Sequence, residues 1–170
     1  MRDAKQSSSP LPSDGSAVVV RLFQPGDQPA FQSLNEAWIC RYFALEPKDY
    51  EVLGDPEASI LQQGGQILLA IADSVPVGCC ALIPHGPARF EIGKMAVRED
   101  LQGRGIGRKL MDSAIELARS LGANRLYLET NHSLDAALRL YESVGFVHLQ
   151  GEEHKHSEYS RSDMQMELIL

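Results

Sequence analysis

The apolar residues of this chain recur with two different periods, which predict helices in some stretches and strands in others. Between residues 27 and 53 they fall three or four positions apart, as in Phe31, Leu34 and Trp38, and Pro47 divides this amphipathic stretch into two short helices. Other apolar runs are short, β-rich and bounded by turn residues. The predicted strands are residues 17–23, 66–72, 75–83, 90–97, 125–130, 146–149 and 164–170.

Two further helices are predicted in the second half of the chain, and a glycine ends each of them. The first begins in a Gly-rich turn after residue 102 and ends at Gly122. The second covers residues 134–144, with Ser133 as its N-cap and Gly145 as its end. Three strands in a row, followed by strands that alternate with helices, indicate one mixed sheet with helices on both faces, a fold of the α/β (α+β) class.

The length of 170 residues fits one domain with a short tail. Residues 1–16 hold three consecutive serines and two prolines, and we expect them to form a disordered N-terminal leader. This segment lacks the apolar core of a secretory signal. Residues 17–170 are expected to form the domain.

The net charge of −7 and the pI near 5.2 change the list of expected partners. A general nucleic-acid binder carries a basic face, so no nucleic-acid partner is expected. Residues 58–88 contain the single charge Asp73, but glutamines, glycines and prolines interrupt them, and no membrane span is expected. The three cysteines, Cys40, Cys79 and Cys80, are expected to be reduced, buried thiols of a soluble cytoplasmic protein, with the adjacent pair on opposite faces of a strand.

The most informative segment is the turn 102–108, Gln-Gly-Arg-Gly-Ile-Gly-Arg, which joins a predicted strand to a predicted helix. Glycines at alternate positions let backbone amides approach a ligand closely, and the N-terminus of the following helix favours an anion such as phosphate. Arg104 and Arg108 add cationic groups to an otherwise acidic chain. A Walker A loop would end in Gly-Lys-Ser/Thr, and a Rossmann fingerprint would need glycine in place of Arg108, so neither motif is present.

The pattern that fits is Gln-x-x-Gly-x-Gly, on Gln102, Gly105 and Gly107, and with it the chain resembles the GNAT acetyltransferase superfamily. Residues 140–146, Leu-Tyr-Glu-Ser-Val-Gly-Phe, are similar to the family's second conserved helix and the strand after it. The resemblance covers residues 17–170 and leaves a merely structural Gly-rich turn as the alternative.

The resemblance implies a single, mostly antiparallel sheet whose fourth and fifth strands splay apart, with acetyl-CoA as co-substrate in the gap and no metal. Backbone groups of Met95 and Val97 would bind the pantetheine arm, amides of residues 103–108 would bind the pyrophosphate, and Asn131 would lie beside the arm. The expected cofactor-binding residues are Met95, Ala96, Val97, Gln102, Gly103, Arg104, Gly105, Ile106, Gly107, Arg108 and Asn131.

Moving an acetyl group from a thioester to an amine needs a neutral amine and a proton for the leaving thiolate. The resemblance implies that Tyr141 is the acid, although an ordinary aromatic on the inner helix face would satisfy the same register. Glu91 is the candidate base, and a strand period of two would place it on one face with Met95 and Val97. A structural or substrate-anchoring role for Glu91 stays open.

Other polar residues carry weaker signals. Histidines 148, 154 and 156 with glutamates 152, 153 and 158 could suggest a metal site, but a solvated charged loop near the substrate entrance is favoured. Trp38 and Tyr159 are candidates to line the acceptor pocket, with ordinary packing as the alternative, and His85 is expected in a loop.

The sequence therefore predicts an acyltransferase, an acetyl-CoA-dependent N-acetyltransferase that acts on a primary amine of an unidentified small molecule or peptide. A homodimer is one candidate assembly. A non-catalytic acyl-CoA-binding sensor is the alternative; it would need Gly105 and Gly107 but not Tyr141. A pure interaction domain would have no need of the Gly-rich turn.

Overall fold

Seven strands and four helices are found in the computed structural model, which describes residues 17–151 and 157–170. The predicted leader and residues 152–156 lie outside the described residues. The strands are β1 (Val19–Leu22), β2 (Gln66–Ala72), β3 (Val75–Pro84), β4 (Arg89–Val97), β5 (Arg125–Thr130), β6 (Val147–His148) and β7 (Met164–Ile169). The helices are α1 (Gln28–Tyr42), α2 (Pro47–Gly54), α3 (Ile106–Ser120) and α4 (Asp135–Ser143), with a π-helical turn at Glu57–Leu61 and a 3-10 turn at Glu99–Leu101.

The strands form one mixed sheet in the order β1-β2-β3-β4-β5-β7-β6. Neighbours are antiparallel except β4 and β5, which run parallel and pair only from Arg89 opposite Arg125 to Ile92 opposite Leu128. Beyond these pairs β4 continues to Val97 without β5 beside it. The predicted fold class, including the splay between the fourth and fifth strands, is confirmed.

Each face of the sheet carries its own apolar core. Helices α1 and α2 bury residues such as Phe31 against one face, and α3 buries residues such as Leu110 against the other. Adjacent Cys79 and Cys80 belong to different cores, as the strand period predicted. The prediction of a buried thiol is wrong for Cys40, which is exposed because it follows the inward-facing Ile39 by one position on α1. None of the helices in the described parts of the chain combines the length and the apolarity that crossing a bilayer requires.

The start of α4 differs from the sequence-based expectation. The helix begins at Asp135, and its cap residue is Leu134, without a side-chain hydrogen bond to the helix. Ser133 was predicted as the N-cap, which is wrong, because its backbone N–H and its hydroxyl both donate to Asn131 Oδ1 instead. A local polar turn thus competes successfully with helix capping at this position.

A β-bulge divides β4 into two halves, and the alternation of side chains between the two sheet faces is reversed from one half to the other. Ala81 lies opposite Gly93 and Cys79 lies opposite Ala96, so two residues of β4 face one residue of β3. Glu91, paired with Ile83, therefore faces the α1 and α2 side. Met95 and Val97 pack against the α3 core on the other side. The expectation that Glu91 shares a face with Met95 and Val97 is wrong, because the extra residue of the bulge reverses the alternation.

Candidate active site

A cleft of about 650 Å³ opens where β4 and β5 separate. The predicted site residues Glu91, Met95, Asn131 and Tyr141 all border it. Its walls also include residues of α1, α2 and the segment 157–163, among them the predicted pocket residues Trp38 and Tyr159. The structure thus brings residues that are far apart in sequence to one opening in the sheet.

The Gly-rich turn lies at the start of α3, with its glycine backbones in conformations that disfavour other residues. Gly103 has φ +77° and Gly105, the cap residue of α3, has φ +80°. A Cβ at either position would meet nothing within 4 Å, so open space lies beside both. The first N–H groups of a helix lack intrahelical partners, and no side chain caps them here. The turn therefore fits the negatively charged pyrophosphate of a coenzyme.

The other residues predicted to bind the cofactor have different surroundings. The Gln102 side chain donates to the Val97 carbonyl at 3.1 Å, which ties the turn to the end of β4. Ile106 and Ala96 are buried in the two cores, and Arg108 pairs with Asp112 on α3 at 3.0 Å. The remaining positions, Gly103, Arg104 and Gly105, are exposed, and Gly107 is half-buried.

The peptide between Lys94 and Met95 has a defined orientation in the bulge. The Cys79 thiol donates to the Lys94 carbonyl at 3.4 Å, so that carbonyl points toward β3. In a trans peptide the carbonyl and the following N–H point in opposite directions. The Met95 N–H therefore points away from the Cys79 thiol, which belongs to β3.

Asn131 connects two walls of the cleft through its side chain. Its Nδ2 donates to the Arg161 carbonyl at 2.7 Å, and its Oδ1 accepts from the Ser133 N–H at 2.9 Å. These bonds hold the segment 157–163 against the turn that precedes α4. Asn131 thus orders the site in addition to bordering it.

Glu91 is a half-buried carboxyl group beside another carboxyl group and a histidine. Burial, followed by the charge of Glu129, raises the pKa of Glu91 to about 7, and Lys94 opposes this shift. His85 Nδ1 lies 3.8 Å from Glu91 Oε2, and its ring stacks on Tyr127 with centroids 4.4 Å apart. A carboxyl group with such a pKa exchanges a proton near neutral pH, as a general base must.

His85 and Glu129 are site residues that the sequence analysis missed. The hairpin of β3 and β4 brings His85 beside Glu91, and the alternation along β5 places Glu129 on the same face as Tyr127. The carboxylate of Glu129 accepts from the Tyr127 hydroxyl at 2.9 Å and from the Ser157 hydroxyl. Both residues could have been found by carrying the strand registers through the turns.

Tyr141 reaches the cleft from α4, on the other face of the sheet. Its ring packs edge-to-face on Phe146 with centroids 6.2 Å apart. Burial raises the pKa of Tyr141 above its ordinary value, so the hydroxyl keeps its proton at neutral pH. It has the protonation state that a proton donor needs.

A cluster of three charged residues and a tyrosine joins α2 to the segment 157–163 across the cleft, and its members are Asp49, Lys94, Arg161 and Tyr159. Arg161 donates two hydrogen bonds to Asp49, at 2.6 and 2.7 Å, and Lys94 Nζ lies 3.0 Å from the same carboxylate. Burial alone would raise the pKa of Asp49, but the bonds from Arg161, the Glu46 backbone and Lys94 lower it to about 2. Of these four residues, only Tyr159 was predicted from the sequence as a site residue.

Among residues 17–151 and 157–170, no group of three His, Cys, Asp or Glu side chains could hold a metal ion. His148 pairs instead with Glu142 at 2.9 Å. The other two histidines of the loop, His154 and His156, and the glutamates Glu152 and Glu153 lie outside the described residues.

Comparisons with known proteins agree on one family. A model of the acetyltransferase (GNAT) family matches residues 31–146. N-alpha-acetyltransferase 30 of Saccharomyces cerevisiae is 36% identical over 81 residues, which are 45% of this chain and 46% of that protein. The uncharacterized N-acetyltransferase YvbK of Bacillus subtilis is 35% identical over 101 residues, 58% of this chain and 65% of that protein. The chain thus spans less than two thirds of either relative.

Solved structures share the fold at low sequence identity. An acetyltransferase of the GNAT family from Staphylococcus aureus superposes with a TM-score of 0.80 at 20% identity, covering 89% of this chain and 98% of that one. The acetyltransferase YncA of Salmonella typhimurium, described with its cofactor acetyl-CoA, gives a TM-score of 0.71 at 20% identity, covering 90% and 94%. With the family model matching more than half of the residues, and with the parted strands and the Gly-rich turn in place, the chain belongs to the GNAT acetyltransferase family.

Proposed function

We propose that this protein is an acetyl-CoA-dependent N-acetyltransferase that acts on a primary amine. One observation carries the proposal: a carboxyl group with a pKa near 7 and a protonated tyrosine border the same opening between β4 and β5. When bound, acetyl-CoA supplies an acetyl thioester to this opening.

The chain's own residues account for coenzyme binding. The N–H groups at the start of α3 and the turn at Gly103 and Gly105 bind the pyrophosphate, because they combine open space with a positive helix end. The edge of β4 beyond Ile92 offers its backbone to the pantetheine arm, since β5 no longer pairs with it. Arg104, exposed in the turn, adds positive charge beside the phosphates.

Three groups act at the reacting atoms. The Met95 N–H donates to the thioester carbonyl and stabilises the charge that develops on its oxygen. Glu91 accepts a proton from the acceptor ammonium, and the neutral nitrogen then bonds to the carbonyl carbon as the carbon–sulfur bond breaks. The Tyr141 hydroxyl gives its proton to the departing sulfur. The surplus proton on the newly bonded nitrogen then passes through water to the tyrosinate, which restores the neutral tyrosine. Trp38 and Tyr159 border the part of the cleft that receives the acceptor.

A cytoplasmic location is part of this proposal. Cys79 and Cys80 are buried free thiols, and Cys40 is a free thiol on the surface, as in a reducing compartment.

An acceptor screen with detection of the released CoA thiol tests the proposed function. The names of relatives, N-alpha-acetyltransferase 30 among them, justify peptide N-termini in the panel, with polyamines, amino acids and aminoglycosides beside them. Turnover of one amine by the wild type, and its loss in Tyr141→Phe, is the expected result. Tight acetyl-CoA binding without turnover of any amine would favour the non-catalytic sensor.

A further inference from the structure

Lys94 occupies an unfavourable backbone conformation at the bulge of β4. Its φ is +49°, in the left-handed region that residues other than glycine rarely adopt. Such a conformation persists only when the surrounding structure holds it. The contacts of this residue therefore show what keeps the bulge in place.

The side chain of Lys94 is bound at its end by two partners. Its Nζ lies 3.0 Å from Asp49 Oδ1 and 2.8 Å from the Tyr159 hydroxyl, and its side chain is 7% exposed. The ammonium also lies 4.5 Å from the centre of the Tyr159 ring. Asp49 is itself fixed, since Arg161 and the Glu46 N–H donate to it. The lysine head group is thus held by an ion pair and a hydrogen bond within the protein.

The backbone of the bulge is held from the opposite side by a buried thiol. Cys79 Sγ accepts from Asn35 Nδ2 at 3.2 Å and from the Ala96 N–H, and it donates to the Lys94 carbonyl at 3.4 Å. Asn35 and Cys79 are both buried. Helix α1 thereby fixes the rotation of the peptide that precedes Met95.

We propose that Lys94 is a positioning residue: its side chain, held by Asp49 and Tyr159, and its carbonyl, held by Cys79, fix the bulge that points the Met95 N–H into the gap. The value of this arrangement to the reaction rests on the proposed function. Lys94 does not act as a base or as a substrate anchor, because its ammonium is already paired and buried. The cluster of Asp49, Lys94, Tyr159 and Arg161 thus acts on the reaction through backbone geometry.

Comparison of Lys94→Met with Lys94→Gly separates geometry from charge. Methionine keeps the length but loses both polar partners, and it disfavours a positive φ. Glycine also loses the partners, but it adopts a positive φ without strain. Crystal structures of both variants without coenzyme give the φ at position 94 and the register of β3 and β4.

We expect the bulge to relax or shift in Lys94→Met and to persist in Lys94→Gly. With acetyl-CoA labelled with ¹³C at its carbonyl, infrared spectra should show a weakened hydrogen bond to that carbonyl in the methionine variant only. The kcat on an accepted amine should fall on the order of 10²-fold in Lys94→Met, as for a misplaced reacting group. Acetyl-CoA affinity should fall much less than kcat, because the turn at residues 102–108, which is proposed to hold the pyrophosphate, is untouched and only the contacts at the bulge change.

A second pair of variants, at Cys79, tests the hydrogen bond to the Lys94 carbonyl and provides a test if Lys94→Met fails to fold. Cys79→Ser keeps a donor for the Lys94 carbonyl, whereas Cys79→Ala removes it, so only alanine should weaken the carbonyl signal. An unchanged φ and register in Lys94→Met would overturn the proposal. It would also be overturned if Lys94→Gly kept the bulge but lost as much kcat and carbonyl hydrogen bonding as Lys94→Met. The φ and register need no substrate, so a wild type that acetylates no amine would refute the proposed function without deciding the role of Lys94.

Discussion

Glu91 and Tyr141 approach one cleft from opposite faces of the sheet. Glu91 extends from β4 on the side of α1 and α2, and Tyr141 extends from α4, which packs on the other core. This is geometrically possible only where β4 and β5 no longer pair. In the proposed reaction, this arrangement would let an acceptor reach Glu91 from one side while the coenzyme sulfur meets Tyr141 on the other.

Replacing Tyr141 by Phe should remove the proposed proton donor while keeping the ring contact with Phe146. We expect kcat to fall by roughly 10²–10⁴-fold, the usual contribution of a positioned acid. Acetyl-CoA affinity, measured by calorimetry, should change little, because the proposed phosphate contacts lie in the turn 102–108. Wild-type turnover in this variant would remove Tyr141 from the reaction.

The pH dependence of kcat/KM should report on Glu91. Because the pKa of this carboxyl is raised to about 7, the group is protonated and inactive as a base at lower pH. The wild-type rate should therefore fall as pH drops below 7, and Glu91→Gln should lose that limb together with most of the rate. An unchanged profile with only a higher KM would assign Glu91 to substrate anchoring.

The same substitution should stabilise the fold at alkaline pH. Glu91 has a pKa of about 7 in the folded chain and near 4.5 when unfolded, so the folded state loses stability as pH rises between these values. At 1.36 kcal/mol per unit, Glu91→Gln should raise the free energy of unfolding at pH 8 by roughly 2–4 kcal/mol. The gain should vanish below about pH 4 in urea titrations, because the carboxyl group is then protonated in both the folded and the unfolded chain.

Glu116→Gln is the matched control for that measurement, because Glu116 is exposed on α3. It should change the unfolding free energy by less than about 0.5 kcal/mol at either pH. Equal effects of the two substitutions on the free energy of unfolding at pH 8 would show that the ionised Glu91 does not destabilise the folded state.

Gly105→Asp should weaken acetyl-CoA binding, since a carboxylate would stand among the N–H groups proposed to hold the pyrophosphate. Gly122→Asp is a close control, because Gly122 has φ +79° against +80° at Gly105, with open space beside both. The two variants should lose similar stability in thermal unfolding, but only Gly105→Asp should lose affinity in calorimetry. Equal affinities would refute the assignment of the turn.

Asp49→Asn should be strongly destabilising at neutral pH. It leaves the buried charges of Lys94 and Arg161 without their shared carboxylate, which costs about 3–5 kcal/mol for buried pairs. Because the pKa of Asp49 is lowered to about 2, its contribution is present above pH 4 and lost as pH falls through 2. Urea titrations should therefore show a large deficit at pH 7 that shrinks in acid, and Glu51→Gln, on the exposed side of α2, should show neither effect.

Local patterns were enough to establish the order of the elements and the place of the Gly-rich turn. The spacing of apolar residues predicted α1, α2 and the hairpin of β2 and β3, since each depends on contacts close in sequence. Gln102, Gly105 and Gly107 marked the turn by their spacing, and the positive φ of Gly105 explains why a glycine is needed there.

Only the tertiary structure decided which side chains meet at the cleft. The bulge at Lys94 reversed the alternation of side chains along β4. The residue type at this position does not predict a bulge, because the positive φ of the lysine is held by partners that are distant in sequence. Asp49 lies 45 positions from Lys94 and 112 from Arg161, so their contact depends on how α2 and the segment 157–163 pack on the sheet. Sequence periodicity describes residues that are close along the chain. Buried charges pair only after the fold is complete, because the low dielectric constant of the interior then makes an unpaired charge costly.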